Sequence, residues 1–201
     1  DPTTNPTPST DVVKEIHGFY GKPAAQVLSI LDAKGWTKSA ETLGDLAGYS
    51  YFNSDSTKVY GIVTKNNIVK ETHYMEVEST DFYKSKIAEN ADKFLSLFEK
   101  WEISLNSLMP SESQYWGTIN AYSLQFYQEY QSRDAFLSDF QAKKSTLTFA
   151  GSAFTYGQFF GETFIHVDYN TKQSVVTVFF TDEPDISKAN KIFKNHSIFN
   201  H

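Results

Sequence analysis

Two ten-residue stretches, "VLSILDAKGW" (27–36) and "FLSDFQAKKS" (136–145), match at Leu28/Leu137, Ser29/Ser138, Ala33/Ala142 and Lys34/Lys143. The elements predicted around them also come in a repeated order, and internal repetition constrains a fold more than any single motif does. In the first half, "DVVKEIHGFY" places Val12, Ile16 and Phe19/Tyr20 at helical spacing, with Thr10 as its expected cap. "GKPAAQVLSILDAKG" predicts a second helix. Pro23 suits the first helical position, Ala24, Val27, Leu28 and Leu31 form one apolar face, and Gly35 suits a left-handed stop. Strands follow in "WTKSAETL", "AGYSYF", "KVYGIVT" and "IVKETHYMEV", the last two joined by an Asn66-Asn67 turn. In the second half "YSLQFYQE" parallels "EIHGFYGK", so 116–130 is expected to be the counterpart of the first helix. "FAGSAFTYG", "FFGETFIHVDYN" and "SVVTVFFTDE" then read as three strands, with "NTKQ" as a turn.

Between the halves a long helix is predicted from residue 80 to residue 102, because Ile87, Ala91, Phe94, Phe98 and Trp101 make one continuous stripe. "SLNSLMPSESQ", with Pro110 inside it, reads as the loop that separates the halves. The expected organisation is a tether (1–10), a first repeat (11–79), a connecting helix and loop (80–110), a second repeat (111–183) and a tail (184–201). In that tail Ile186, Ile192 and Phe193 suit a short helix. The fold class is therefore α+β: two tandem helix–helix–antiparallel-sheet repeats whose helices pack on one face of a joint sheet.

Aromatic residues make up 16% of the 201, chiefly 17 Phe and 12 Tyr, which favours strands and a substantial core. A net charge of −6 without a Lys/Arg cluster argues against nucleic-acid partners. No apolar run reaches the roughly 18–20 residues of a membrane-spanning helix. The absence of cysteine excludes disulfides, thiolate chemistry and Cys-bound zinc. "DPTTNPTPST", rich in Pro and Thr, reads as an extended tether of the kind that follows the lipidated cysteine of bacterial lipoproteins. The expected location is the bacterial cell envelope, periplasmic or at the cell surface, secreted or held by an N-terminal lipid anchor.

"FYGKPAAQVLSILDAKGW", with aromatic-rich strands after it, resembles the helix–helix–sheet unit of small bacterial envelope proteins. These include the beta-lactamase inhibitory protein, PepSY-like periplasmic proteins and small outer-membrane assembly lipoproteins. The residues that carry the resemblance are Gly21, Pro23, Gln26 and Val27, within 19–77 and more weakly 126–182. "FYQEYQSRDAF" lacks the corresponding Gly and Pro. The resemblance implies a protein that presents a sheet face to a partner and carries no catalytic residues.

"ETHYMEV" (71–77) and "ETFIHVDY" (162–169) each join Glu-Thr to one of five histidines, with a carboxylate shortly after. Strand alternation separates them. Glu162, Phe164, His166 and Asp168 share one face, expected to be solvated, while Thr163, Ile165, Val167 and Tyr169 share the core face. On the other strand Val69, Glu71, His73, Met75 and Val77 share a face, so His73 is expected among apolar neighbours. Neither pattern supplies a metal set or a catalytic pair, so no catalytic residue, metal or cofactor is assigned. Candidate binding residues are instead Tyr49, Tyr51, Tyr60, Tyr74, Phe164, His166, Asp168 and Phe180, expected on an open aromatic sheet face. The expected partner is a protein or glycan. A carbohydrate-associated lipoprotein using Trp36, Trp116 or exposed Tyr, and a hydrolase using His73 or His166 with a carboxylate, are the alternatives.

Overall fold

A computed structural model describes residues 11–79, 86–110, 112–121, 124–143, 147–156, 159–168 and 173–182. The predicted tether and tail helix lie outside the described residues. The chain opens with α1 (Val12–Phe19), capped by Asp11 and not by Thr10: the Asp11 Oδ1 accepts from the backbone N–H of Val13 and Lys14 at 3.0 and 3.2 Å. α2 (Ala24–Asp32) forms where the sequence predicts a helix, with Pro23 as its N-cap and not its first helical residue, and Gly35 turns the chain away with φ +70°.

Four strands come next: β1 (Thr37–Leu43), β2 (Leu46–Phe52), β3 (Lys58–Lys65) and β4 (Ile68–Ser79). Asn66 and Asn67 both have positive φ, the conformation that a two-residue hairpin turn requires. The α1–α2 junction is clipped to this hairpin. Gly21 N–H donates to Val69 O at 2.9 Å, Val69 N–H to Lys22 O at 2.9 Å, and Ala24 N–H to Asn67 O at 2.7 Å.

α3 (Lys86–Leu108) runs further than predicted, into the expected loop. Leu105 and Met109 prolong the buried stripe of Phe98 and Trp101, and the helix stops where Pro110 disfavours a helical residue before it. The expectation of a helix over 116–130 is overturned: β5 (Glu112–Ala121) and β6 (Leu124–Tyr130) form a hairpin there. Tyr115, Trp116, Thr118, Ile119, Phe126 and Tyr127 are strand-favouring residues, and the glycine–proline junction that starts α2 is missing before them. α4 (Arg133–Lys143) lies where the repeat predicts a helix, followed by β7 (Leu147–Tyr156), β8 (Phe159–Asp168) and β9 (Gln173–Thr181).

All nine strands among the described residues join one antiparallel sheet in the order β1-β2-β3-β4-β9-β8-β7-β5-β6. The protein is α+β. The helices cover one sheet face with a continuous core that includes Phe19, Leu31, Tyr60, Tyr74, Phe98, Trp101, Phe136, Phe154 and Phe180. Polar groups enter this core in pairs. The Tyr60 hydroxyl donates to the buried Glu15 of α1, Thr72 Oγ1 to the Ile16 carbonyl at 3.0 Å, and Arg133 Nε to the buried Glu102 at 3.0 Å.

The opposite face holds a smaller cluster of Val59, Met75, Val77 and Val175. There Gly61 stands directly across from His73, whose imidazole fills the space a β-carbon at residue 61 would need. Gly61→Ala is expected to destabilise the fold by roughly 1–3 kcal/mol through overpacking. Gly48→Ala, which meets nothing within 4 Å, should stay within about half a kcal/mol of the parent. Urea denaturation of both variants checks this, and equal midpoints would refute the close packing.

Candidate binding surface

Cross-strand register assigns each predicted binding residue to a face. Tyr51, Tyr60, Tyr74 and Phe180 turn toward the helices and are buried, at most 7% exposed. The expected open face is corrected for these four: their rings form the core under α1, α2 and α3. Tyr74 touches Trp101 of α3 edge-on at 5.5 Å, and Tyr60 lies 4.9 Å from Tyr74. Phe164, His166 and Asp168 lie on β8, and their side chains fall outside the described residues. Glu162, on the same face by alternation, is fully buried, where a solvated face was expected. His73 is also buried, as the sequence suggested.

A different part of the sheet is open. β1 is exposed at every position and forms an edge of the sheet. Its register with β2 places Lys38 opposite Tyr51, Ala40 opposite Tyr49 and Thr42 opposite Ala47, on the face that carries the helices elsewhere. The last residue of α2, Asp32, meets this wing through hydrogen bonds. Tyr51 donates from its hydroxyl to Asp32 Oδ1 at 2.7 Å, and Lys38 Nζ meets the same oxygen at 3.1 Å. Lys38 also lies 5.5 Å from the Tyr49 and Tyr51 ring centres, and Lys34 lies 4.8 Å from that of Tyr60. Trp36, half-buried, packs against Tyr60 at 5.4 Å and frames the inner end of the wing. At its tip Leu43 is 80% exposed and faces Leu46 across the Gly44-Asp45 turn.

The wing is therefore a half-buried Trp and Tyr beside two cations and one carboxylate, on a strand open to solvent. Aromatic faces next to charged hydrogen-bonding groups suit stacking on a ring or an apolar side chain while the rim fixes its orientation. Tyr49 is the predicted binding residue that belongs here, together with Trp36 from the sugar-binding alternative. Sequence reading missed Asp32, which looks like an isolated solvated acid until the fold brings Tyr51 and Lys38 to it. Among the described residues no group of three or more His, Asp or Glu side chains is arranged to hold a metal ion. No helix among the described residues is long and apolar enough to cross a membrane.

No protein-family model matches the chain, and no curated protein does. Among solved structures, a cysteine-rich secretory protein from Staphylococcus aureus aligns at 15% identity with a TM-score of 0.34. The alignment covers 88% of this chain and 48% of that one, so the chain spans about half the length of that protein. A likeness this distant fixes neither fold nor activity.

The Tyr51 hydrogen bond and then Lys38 hold the Asp32 carboxyl below its ordinary range, while burial and the bond to Asp32 push the Tyr51 hydroxyl up to about 12. Tyr51→Phe removes the larger cause, so the Asp32 titration should move up toward the usual carboxylate value. A carboxyl-carbon NMR titration of both proteins reads the shift, and coincident curves would contradict the contact.

Proposed function

We propose that this protein is a non-catalytic binding module of the bacterial envelope, secreted or lipid-anchored, that captures a protein or glycan on the β1–β2 wing. The observation that carries the reading is the wing itself: an edge strand exposed at all seven positions, carrying Lys38 and flanked by Trp36, Tyr49, Lys34 and Asp32. Proteins ordinarily cover or blunt a sheet edge, because its free N–H and C=O groups invite another strand. An open edge with aromatic groups beside it supports capture of an extended segment or of a sugar ring. The envelope location rests on the Pro/Thr-rich composition of residues 1–10.

A carbohydrate ligand is the second reading, favoured by Trp36 and Tyr49 standing partly open beside Lys38 and Asp32. A hydrolase built on His73 has less support, because its ring is buried against Gly61 and offers no open face to a substrate. The tandem-repeat reading is supported in its strand order: β2-β3-β4 and β7-β8-β9 flank the β4–β9 pair as mirror images, with α2 and α4 preceding them in the chain.

Co-sedimentation of the labelled chain with bacterial envelope fragments tests the proposal. Binding is expected, and Trp36→Ala with Tyr49→Ala should weaken it at least about tenfold, the loss of two modest anchors. Full retention by the double variant removes the wing from the account, and no binding to any envelope preparation removes the location. A glycan array separates a sugar from a protein ligand.

A further inference from the structure

On the sheet face away from the helices, register sets Gly61, His73, Phe179, Glu162 and Ala153 in one row across β3, β4, β9, β8 and β7. Glu162 is 0% exposed, and neither of its carboxylate oxygens has a hydrogen-bond partner. The Thr177 hydroxyl, buried on β9 on the same face, has none either. Thr177 is the diagonal neighbour of Glu162 across the β8–β9 pair, a separation of about 7–8 Å between backbones that is within reach of a long side chain. Buried polar atoms in folded proteins are almost always satisfied, so three unpartnered oxygens in one neighbourhood, all able to accept once the carboxyl ionises, point to a missing donor.

We infer that Glu162 and Thr177 form a binding site for a small primary ammonium ion. Three features select that chemistry. A primary ammonium has three N–H donors, matching the two carboxylate oxygens and the one hydroxyl. Buried Phe160 and Phe179, two residues away on β8 and directly opposite on β9, line the site with rings that attract a cation. On the β7 side the residues of this face, Ala153 and Gly151, are both buried and small. A divalent metal fits poorly, since hard cations take six or more oxygens and no third His, Asp or Glu joins a metal-holding group among the described residues.

The ionisable groups around Glu162 bear on its charge. Ala153 and Gly151 of β7 and Phe179 and Thr177 of β9 contribute none. His73 lies one strand beyond Phe179 with its ring over Gly61, Glu71 lies two residues from His73 on β4, and His166 is four residues along β8. No described ion pair reaches Glu162. Burial pushes its carboxyl up to about 8, so the free site is neutral at pH 7 and binding a cation must release a proton. Affinity for an ammonium ion should therefore rise about tenfold per pH unit up to that value.

Thermal unfolding of the whole chain in methylammonium chloride tests the site, with potassium chloride and tetramethylammonium chloride at equal ionic strength as controls. The expected result is a saturable rise in Tm with methylammonium alone, larger at pH 8 than at pH 6. It should be abolished in Glu162→Gln and weakened in Thr177→Val. No rise up to about 100 mM, an equal rise with either control salt, or an undiminished rise in Glu162→Gln each overturns the proposal. Because the wild-type salt comparison decides by itself, a variant that fails to fold does not rescue it.

Discussion

The pairing of β4 with β9 holds this architecture together. Residues 71–79 meet residues 173–181 in nine consecutive antiparallel pairs, joining the first half of the chain to its last described strand. Without that ladder, each half would carry an unpaired sheet edge beneath a helical layer only partly its own. With it, α1 packs on β4 and β9 together, and α3 lies over β9, β8 and β7. Such contacts between distant parts of the chain cost loop-closure entropy before they return any burial energy, so the ladder and the helices across it depend on each other.

Local chemistry made much of this frame legible. Pro23 and Gly35 bound α2, the paired asparagines mark the β3–β4 turn, and four matched residues in each half locate α2 and α4. The stripe through Phe98 and Trp101 identified α3, though it was stopped one turn and a half too early. Failure came where short-range signals compete. Residues 116–130 hold apolar groups at spacings that fit a helix or a hairpin, and only pairing of β5 with β7 decides between them. Alternation also fails at irregularities. A register shift at Val63/Thr64 sets Val69 into the helix-side core, although it shares parity with His73 on the other face.

The candidate surface was less legible than the fold, for a physical reason. Alternation tells which residues share a face but not what covers that face. Tyr51, Tyr60, Tyr74 and Phe180 were correctly placed on strands, yet the side expected to be open is the one the helices occupy. Glu162 shows the converse. A charged residue in an alternating strand reads as solvent-facing, and only the three-dimensional arrangement reveals it shut away beside Phe160 and Phe179. Its flanking phenylalanines, Phe160 and Phe164, were the available signal, because a solvated face seldom carries two such rings around one acid.

The position of β1 at the rim has a dynamic consequence. Protection against amide exchange grows with the amount of structure that must open, so the β4–β9 centre opens only with the whole molecule. β1 can detach with little else, since it is exposed at every position and is tied to the helical layer by the Lys38–Asp32 contact at its inner end. A ligand held by the wing thus acts on the cheapest fluctuation in the fold. Its grip would register as slowed exchange along one hairpin while the slowest amides at the centre kept their rates, and the affinity the protein displays would carry the cost of keeping that strand in place.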